Sequence, residues 1–240
     1  MKTTLSWTLS LGLALTSGLT GLGHAEEAAS PEASPAITIH VKNYAGVAPR
    51  TLAEAEQLAT AIFRKAGVET RWVDVVLTAE NNQVNSAGQL ARTLADIYLS
   101  IFPDAMSDRS GLPNKVMGLA PGNGPDRKIV YIFESNVEAR FWKLSDARRT
   151  GRMDRQVSKA QILGHAIAHE VGHVLLNQQV HSAHGIMRGE WGFADFRDMT
   201  EGMFFFTPLQ AEFIRVDVRR RNSQQETFKS AELESPAPAL

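Results

Sequence analysis

The chain has 240 residues, with 25 Lys and Arg against 26 Asp and Glu, and it contains no cysteine. A net charge near zero gives no electrostatic reason to bind nucleic acid or an anionic membrane surface. The absence of cysteine excludes disulfides, and it excludes latency in which a thiolate caps a metal ion. The length suits one domain with a sizeable core.

Residues 1–25 have the features of a secretory signal peptide. Lys2 gives a basic start, 5–22 is an apolar run interrupted by Ser, Thr and Gly, and small residues precede an expected cut after Ala25. A membrane anchor is the alternative, but no later segment reaches the roughly 18 apolar residues that a spanning helix needs. We therefore predict an exported bacterial protein, secreted or periplasmic, with no stable membrane association after cleavage. A disordered leader rich in Glu, Ala, Ser and Pro follows over 26–36.

A strand–helix–strand unit follows the leader. Segment 37–41 alternates apolar and polar residues, as a strand does. Thr51 and Glu54 have the spacing of a capping box, which predicts a helix that runs to about Ala66 and ends at Gly67. The apolar stripe of this helix comprises Leu52, Ala55, Ala59, Ile62 and Phe63. A second strand over 68–77 then predicts a parallel pair with a right-handed crossover.

The middle of the chain is predicted to form a strand and a hairpin. A third strand over 97–102 ends before Pro103. Two further segments, 116–120 and 128–133, flank a cluster of turn residues over 121–126 and predict an antiparallel hairpin.

A long helix begins after a basic connector. Segment 138–144 predicts a short helix, and 145–154 a connector whose arginines form a solvated surface. Ser158 and Gln161 form a second capping box, so the long helix begins there. It ends near Asn177, because Asn tolerates the left-handed conformation that terminates helices.

This helix carries the sequence His-Glu-x-x-His. His169 and His173 lie four residues apart on one helix face, so both imidazoles can reach one zinc ion at about 2.0–2.1 Å. Glu170 lies beside the first histidine, where a carboxylate can take a proton from a zinc-activated water. His165, one turn earlier, could be a fourth ligand, but that would close the site, and a polar residue lining the cleft fits better.

Two histidines leave a zinc site incomplete, and His181 is the candidate for the third ligand. Three protein ligands with one open position are typical of a catalytic zinc site. The alternatives for the third ligand are His184 and a carboxylate of Glu190 or Glu201. Met187, in the turn that follows, is available to pack under the metal.

The C-terminal part is aromatic and then helical. The aromatic residues form core or pocket wall, and they are Trp191, Phe193, Phe196, Phe204, Phe205 and Phe206. Thr207 and Gln210 form a third capping box with Pro208 at the first helical position. The expected apolar side of this helix comprises Leu209, Phe213, Ile214 and Val216. The helix ends at 219–221, where arginines complement the helix dipole, and 223–240 is a disordered tail.

The order His-Glu-x-x-His, chain reversal, third His and a turn with Met resembles the metzincin clan of zinc peptidases. The usual pattern places Gly and His seven and ten residues after the first His, where this chain has Leu176 and Gln179. We interpret it as an atypical bacterial member. The resemblance implies an α+β fold: a twisted mixed sheet of about five strands, a backing helix, a long active-site helix and a small, mostly helical C-terminal subdomain. The single domain then spans 37–222, divided into 37–177 and 178–222.

The resemblance also implies an exported endopeptidase with one catalytic zinc ion and Glu170 as general base. Its partners would be peptide or protein substrates, we expect a monomer, and 116–120 would be the antiparallel edge strand above the cleft. An exposed edge can bind an extended peptide as an extra strand, although an ordinary hairpin remains an alternative. Two other functions stay open: a different zinc hydrolase, such as a peptidoglycan cross-bridge peptidase, and a non-catalytic module that zinc only stabilises.

Overall fold

The fold comes from a computed structural model, which describes residues 34–75, 95–103, 116–122, 127–178 and 181–234. The predicted signal peptide, most of the predicted leader and part of the predicted hairpin turn lie outside these ranges. No helix in the described part of the chain is long and apolar enough to cross a membrane.

Within the described ranges, five strands form one mixed sheet in the order β2-β1-β3-β5-β4. The strands are β1 Ala36–Asn43, β2 Glu69–Asp74, β3 Asp96–Phe102, β4 Gly118–Leu119 and β5 Ile129–Phe133. β1 pairs in parallel with β2 and β3, β3 pairs in parallel with β5, and β4 pairs antiparallel with β5. The predicted parallel pair and the predicted hairpin are both confirmed, and β4 lies at one edge of the sheet.

Five helices accompany the sheet in the described residues, so the fold is α+β, as predicted. They are α1 Pro49–Lys65, α2 Glu134–Arg149, α3 Lys159–Leu175, α4 Phe193–Thr200 and α5 Pro208–Glu234. α1 and α3 pack against each other very closely at Gly164, where a Cβ atom would lie 2.6 Å from the carbonyl oxygen of Ala55. Glycine at that position therefore sets the distance between the two helices.

The predicted apolar stripe of α1 is confirmed, since all five of its residues are buried. The predicted capping box is wrong. The helix begins earlier, at Pro49, whose fixed φ suits the first helical position, and no side chain caps it. Glu54 instead accepts a hydrogen bond from Nε of Arg50 at 2.9 Å. Gly67, with φ of 79°, closes the helix as expected.

α2 is longer than the short helix predicted over 138–144. It begins directly after β5 and includes 145–149, which the sequence analysis assigned to a connector. Asp146 pairs with Arg149 at 2.7 Å and with Arg152 at 3.2 Å, and these pairs support the last turn. The arginines are exposed, as predicted.

The apolar side predicted for α5 is wrong, apart from Ile214. Leu209, Phe213 and Val216 are 65%, 52% and 53% exposed. The buried side of the helix comprises Ala211, Ile214, Val218 and Arg221. This spacing is that of one helix face, and Ala211 is small enough to let the helix approach the core.

The C-terminal end of α5 also differs from the prediction. The helix runs to Glu234, so residues 223–234 are helical where the sequence analysis expected a disordered tail. The segment contains good helix formers and neither Gly nor Pro before Pro236, which explains its continuation.

Glu56, on α1, is partly buried, and its carboxyl group lies near that of Asp74. Burial, together with the charge of Asp74, raises its pKa from 4.5 to about 7, and its Oε1 atom has no hydrogen-bond partner among the described residues. The folded state therefore binds this proton more tightly than the unfolded state, and its stabilising effect is lost as the pH rises from 4.5 through about 7. We expect Glu56→Gln, which mimics the protonated acid, to gain stability relative to the wild type over this interval.

Urea unfolding at a series of pH values measures this difference. Asp74→Asn removes the second cause of the raised pKa, so it should move the pH dependence towards lower pH. Wild-type and Glu56→Gln curves that run parallel from pH 4 to pH 8 would contradict the assignment.

Candidate metal centre

Local signals at both ends of α3 hold the central motif in a helix. The Ser158 hydroxyl accepts a hydrogen bond from the Gln161 amide at 3.0 Å, and the Gln161 side chain accepts one from the Ser158 amide at 2.9 Å. At the other end Asn177 adopts φ of 50°, in the left-handed region. The predicted capping box and the predicted helix end are both confirmed.

The chain reversal after Asn177 brings three histidines together. One nitrogen each of His169, His173 and His181 lies within 4.8 Å of the others, so the group could hold a metal ion. The rings of His169 and His173 are buried, and His181 is exposed. A Cβ atom at Gly189 would lie 2.9 Å from Nδ1 of His181, so that glycine leaves room for the third ring.

The alternative third ligands do not belong to this group. His184, Glu190 and Glu201 lie outside the three-histidine cluster found among the described residues. Glu201 instead lies 3.5 Å from Nε of Arg155. The geometry therefore favours His181 over the other candidates.

Hydrogen bonds fix the tautomers of the two buried rings. Nδ1 of His169 lies 2.7 Å from the carbonyl oxygen of Ile186, and Nδ1 of His173 lies 2.8 Å from that of Gln178. A carbonyl oxygen only accepts, so both Nδ1 atoms carry the hydrogen and both Nε2 atoms carry a lone pair. The two Nε2 atoms are 3.1 Å apart. Two lone pairs at this distance repel each other unless a cation lies near both, and the donor set therefore fits a metal ion.

Both buried rings are held neutral, which is the form that binds metal. Burial, more than any other effect, lowers the pKa of His169 to about 3 and that of His173 to about 4. The imidazole of His181 and the guanidinium of Arg127 also lower the pKa of His173, whereas its hydrogen bond with the backbone of Gln178 opposes the shift.

His165 has a different environment from the one expected. It is buried rather than lining a cleft, with 4% of its surface exposed. Its Nδ1 lies 2.7 Å from the carbonyl oxygen of Gln161, and its ring stacks on Phe204 at 5.9 Å. It is outside the three-histidine group, as the sequence analysis favoured.

The turn after His181 packs against α3 next to the histidines. Met187 is buried, and a Cβ atom at Gly172 would lie 2.7 Å from its sulfur, so the thioether packs directly against the helix turn that carries His173. Gly185 adopts φ of 71°, which allows the sharp turn. This turn presents the carbonyl oxygen of Ile186 to His169.

Trp191 has a role that its place in an aromatic-rich segment does not reveal. Its indole N–H donates to the carbonyl oxygen of Ile186 at 3.2 Å, the same oxygen that His169 uses. The Trp191 ring also meets that of His169 edge-on at 5.7 Å. An indole that is buried with its N–H satisfied in this way holds both the turn and the first histidine.

Glu170 lies between α3 and the edge strand. Only 8% of the residue is exposed, and a Cβ atom at Gly118 would lie 2.5 Å from its Cγ and 2.9 Å from its Oε1. Burial raises its pKa to about 8, and a hydrogen bond with the backbone of Ala120 opposes this rise. The carboxyl therefore contacts the backbone of β4, which must be free of a side chain at Gly118.

We expect Gly118→Ala to disturb the position of Glu170 without removing the three histidines. The added methyl group has no space against Cγ of the glutamate, so either the carboxyl or β4 must move. We predict a fall in kcat of about 10-fold or more, as for loss of an orienting contact, with metal content unchanged. Steady-state kinetics and metal analysis measure both.

A matched control for this substitution is Gly192→Ala. There the added Cβ would meet only an oxygen of Asp195, at 3.8 Å. Wild-type kcat in Gly118→Ala would show that the Glu170 carboxyl does not depend on this contact.

Two solved structures are similar to this chain. The crystal structure of archaemetzincin from Methanopyrus kandleri is 13% identical, with 79% of this chain and 99% of that chain covered, at a TM-score of 0.44. A zinc-dependent peptidase from Methanocorpusculum labreanum is 12% identical, with 73% of this chain and 99% of that chain covered, at a TM-score of 0.44. No protein-family model and no curated protein matches the sequence. Such distant likenesses carry no argument about activity, which must come from the chemistry of the site.

Proposed function

We propose that this chain is an exported zinc-dependent endopeptidase that binds one zinc ion through His169, His173 and His181. The observation that carries the proposal is the convergence of the three imidazoles. The Nε2 atoms of His169 and His173 are 3.1 Å apart, and one nitrogen of each of the three rings lies within 4.8 Å of the others. Three imidazole nitrogens are a ligand set that zinc uses in catalytic sites, where the fourth position stays open.

Glu170 is the proposed general base. When bound, zinc would lower the pKa of a water molecule towards 7 and polarise the carbonyl group to be cleaved. Glu170 takes the proton from the attacking water and passes it to the nitrogen of the leaving amine. Its burial raises the pKa of the metal-free carboxyl to about 8, whereas a neighbouring cation favours the charged form that accepts a proton.

The edge strand β4 is the proposed binding surface for the peptide. It lies at the end of the sheet order and contacts the Glu170 carboxyl through Gly118. An extended peptide that pairs with this edge would bring a backbone carbonyl close to the general base. Backbone pairing requires no particular side chain, so it suits peptide substrates of varied sequence.

Two further parts of the proposal rest on the sequence. The signal-peptide features of residues 1–25 support export to the periplasm or the exterior. A monomer is proposed, with peptides or proteins as substrates. A purely structural zinc site has no use for a carboxylate at Glu170, and this disfavours the non-catalytic alternative.

The test combines metal analysis of the purified mature chain with digestion assays. We expect about one zinc per chain and zinc-dependent cleavage of casein or of a peptide library, lost after chelation and restored by zinc. A cross-bridge peptide from peptidoglycan, assayed in parallel, tests the alternative hydrolase. Stoichiometric zinc without cleavage of any peptide would support the non-catalytic module, and absence of bound zinc would overturn the proposal.

A further inference from the structure

Arg127 is a buried cation whose guanidinium group contacts backbone carbonyls. It lies two residues before β5, and only 6% of it is exposed. Nη1 donates to the carbonyl oxygens of Ala120 at 3.3 Å and Gly122 at 2.9 Å, and Nη2 donates to the carbonyl oxygen of His173. One side chain thus joins the segment that follows β4 to the last turn of α3.

The carbonyl of His173 is available because of the way α3 ends. The amide of Leu176 bonds to Gly172, and the amide of Asn177, in its left-handed conformation, bonds to Val174. Neither amide takes the oxygen of His173, which is among the last four carbonyls of the helix. The same reversal brings the carbonyl of Gln178 to the His173 imidazole. Arg127 therefore caps the backbone of a proposed metal ligand whose ring the next loop orients.

A second buried arginine lies at the same helix end and makes different contacts. Arg221 is fully buried, and its Nε donates to Asp217 at 2.5 Å. Its Nη2 lies 3.5 Å from the carbonyl oxygen of Val174, and its Nη1 donates to the backbone oxygen of Arg127 at 3.1 Å. Both cations lie where the helix dipole favours positive charge. Arg127 contacts both a proposed ligand residue, His173, and the segment that follows β4.

We infer that Arg127 is a positioning residue of the metal centre, which keeps His173 on α3 in register with the edge strand β4 that contacts Glu170. This inference rests on the proposed zinc site. The contacts of Arg127 with Ala120 and His173 fix the distance between the strand that positions the general base and the helix turn that positions a ligand. The guanidinium is needed because its two separate Nη atoms donate to different elements from one rigid plane, whereas a lysine ammonium is a single donor atom on a flexible stem.

The test compares Arg127→Lys with Arg221→Lys. Each substitution keeps the positive charge at the same end of α3 and removes a planar guanidinium group. We expect Arg127→Lys to weaken zinc affinity and lower kcat by about 10- to 100-fold each, with KM little changed. Its Co2+-substituted form should also show an altered absorption spectrum. Arg221→Lys should lower the urea midpoint and change the Co2+ spectrum and zinc affinity far less, because its described backbone bonds are to Arg127 and Val174 rather than to a proposed ligand residue. An unchanged spectrum and affinity in Arg127→Lys, or equal changes in both variants, would overturn the inference.

A second measurement needs no variant, should Arg127→Lys fail to fold. In wild-type protein labelled with 15N, the Arg127 guanidinium resonance should shift on zinc binding more than that of Arg221. Equal or absent shifts would count against the role of Arg127. The Co2+ spectrum and the NMR shifts depend on metal binding and not on turnover. A protein that binds zinc without cleaving peptides would therefore contradict the proposed activity, while the role of Arg127 could still be measured. A protein that binds no metal would sink both.

Discussion

Replacing Glu170 by glutamine should remove most of the peptidase activity while the zinc stays bound. The Glu170 carboxyl is buried against Gly118 of the edge strand, and it does not belong to the three-histidine group proposed to hold the metal. Glutamine has the same shape but accepts no proton, so the variant lacks a base for the attacking water. General acid–base catalysis contributes about 10²–10⁴-fold, and we expect kcat to fall by that factor. Peptide cleavage assays and metal analysis of the same preparation measure both quantities.

The matched control is Glu190→Gln. Glu190 is exposed and was an alternative candidate for the third ligand on sequence grounds. We expect this variant to keep wild-type activity and metal content. If Glu170→Gln retained turnover within a few-fold of the wild type, another group would have to serve as base. If Glu190→Gln lost zinc, the ligand assignment would move from His181 to a carboxylate.

The elements that sequence predicted well are those specified by neighbouring residues. The start of α3 depends on Ser158 and Gln161, three positions apart, and its end depends on the tolerance of Asn177 for positive φ. The spacing of His169 and His173 follows from the helix repeat alone. Local rules of this kind do not require knowledge of the tertiary structure.

The errors arose where tertiary contacts decide the outcome. Leu209, Phe213 and Val216 are apolar, yet α5 docks through a different face, which holds Ala211, Ile214, Val218 and Arg221. Sequence reasoning placed the arginines over 219–221 at the end of the helix, where they would complement its dipole, whereas the helix continues and Arg221 is buried. A buried arginine is uncommon, since charges are rarely buried without partners.

Arg127 shows the same limit at the site itself. It follows a cluster of turn residues, and nothing in the sequence indicates its contacts with the site. Its acceptors are the backbone carbonyl oxygens of Ala120 and His173, which any residue type can provide. The role of Trp191 was missed for a related reason. Its N–H shares the carbonyl of Ile186 with His169, and carbonyls carry no sequence signature.

His169→Ala is expected to lose the metal ion as well as activity. Its imidazole is buried, with Nδ1 donating to Ile186 and Nε2 facing that of His173 at 3.1 Å. The variant keeps only the buried ring of His173 and the exposed ring of His181. The alanine methyl group does not fill the space that the His169 ring occupied. Loss of an outer partner costs about 10–100-fold in metal affinity, and loss of a ligand should exceed this range. Competition with a chromophoric zinc chelator measures the affinity.

Thermal unfolding gives an independent measure of the same change. A ligand that binds only the folded state stabilises it by about 2.7 kcal/mol at a hundred times its Kd, so zinc should raise the Tm of the wild type but not that of His169→Ala. His184→Ala is the matched control, because His184 is exposed and lies outside the three-histidine group. We expect it to keep both the zinc and the zinc-dependent Tm. If His169→Ala retained stoichiometric zinc and His184→Ala lost it, the metal would bind at His184 rather than between the three histidines. Glu170 would then not lie beside the metal, and its proposed role as general base would be contradicted.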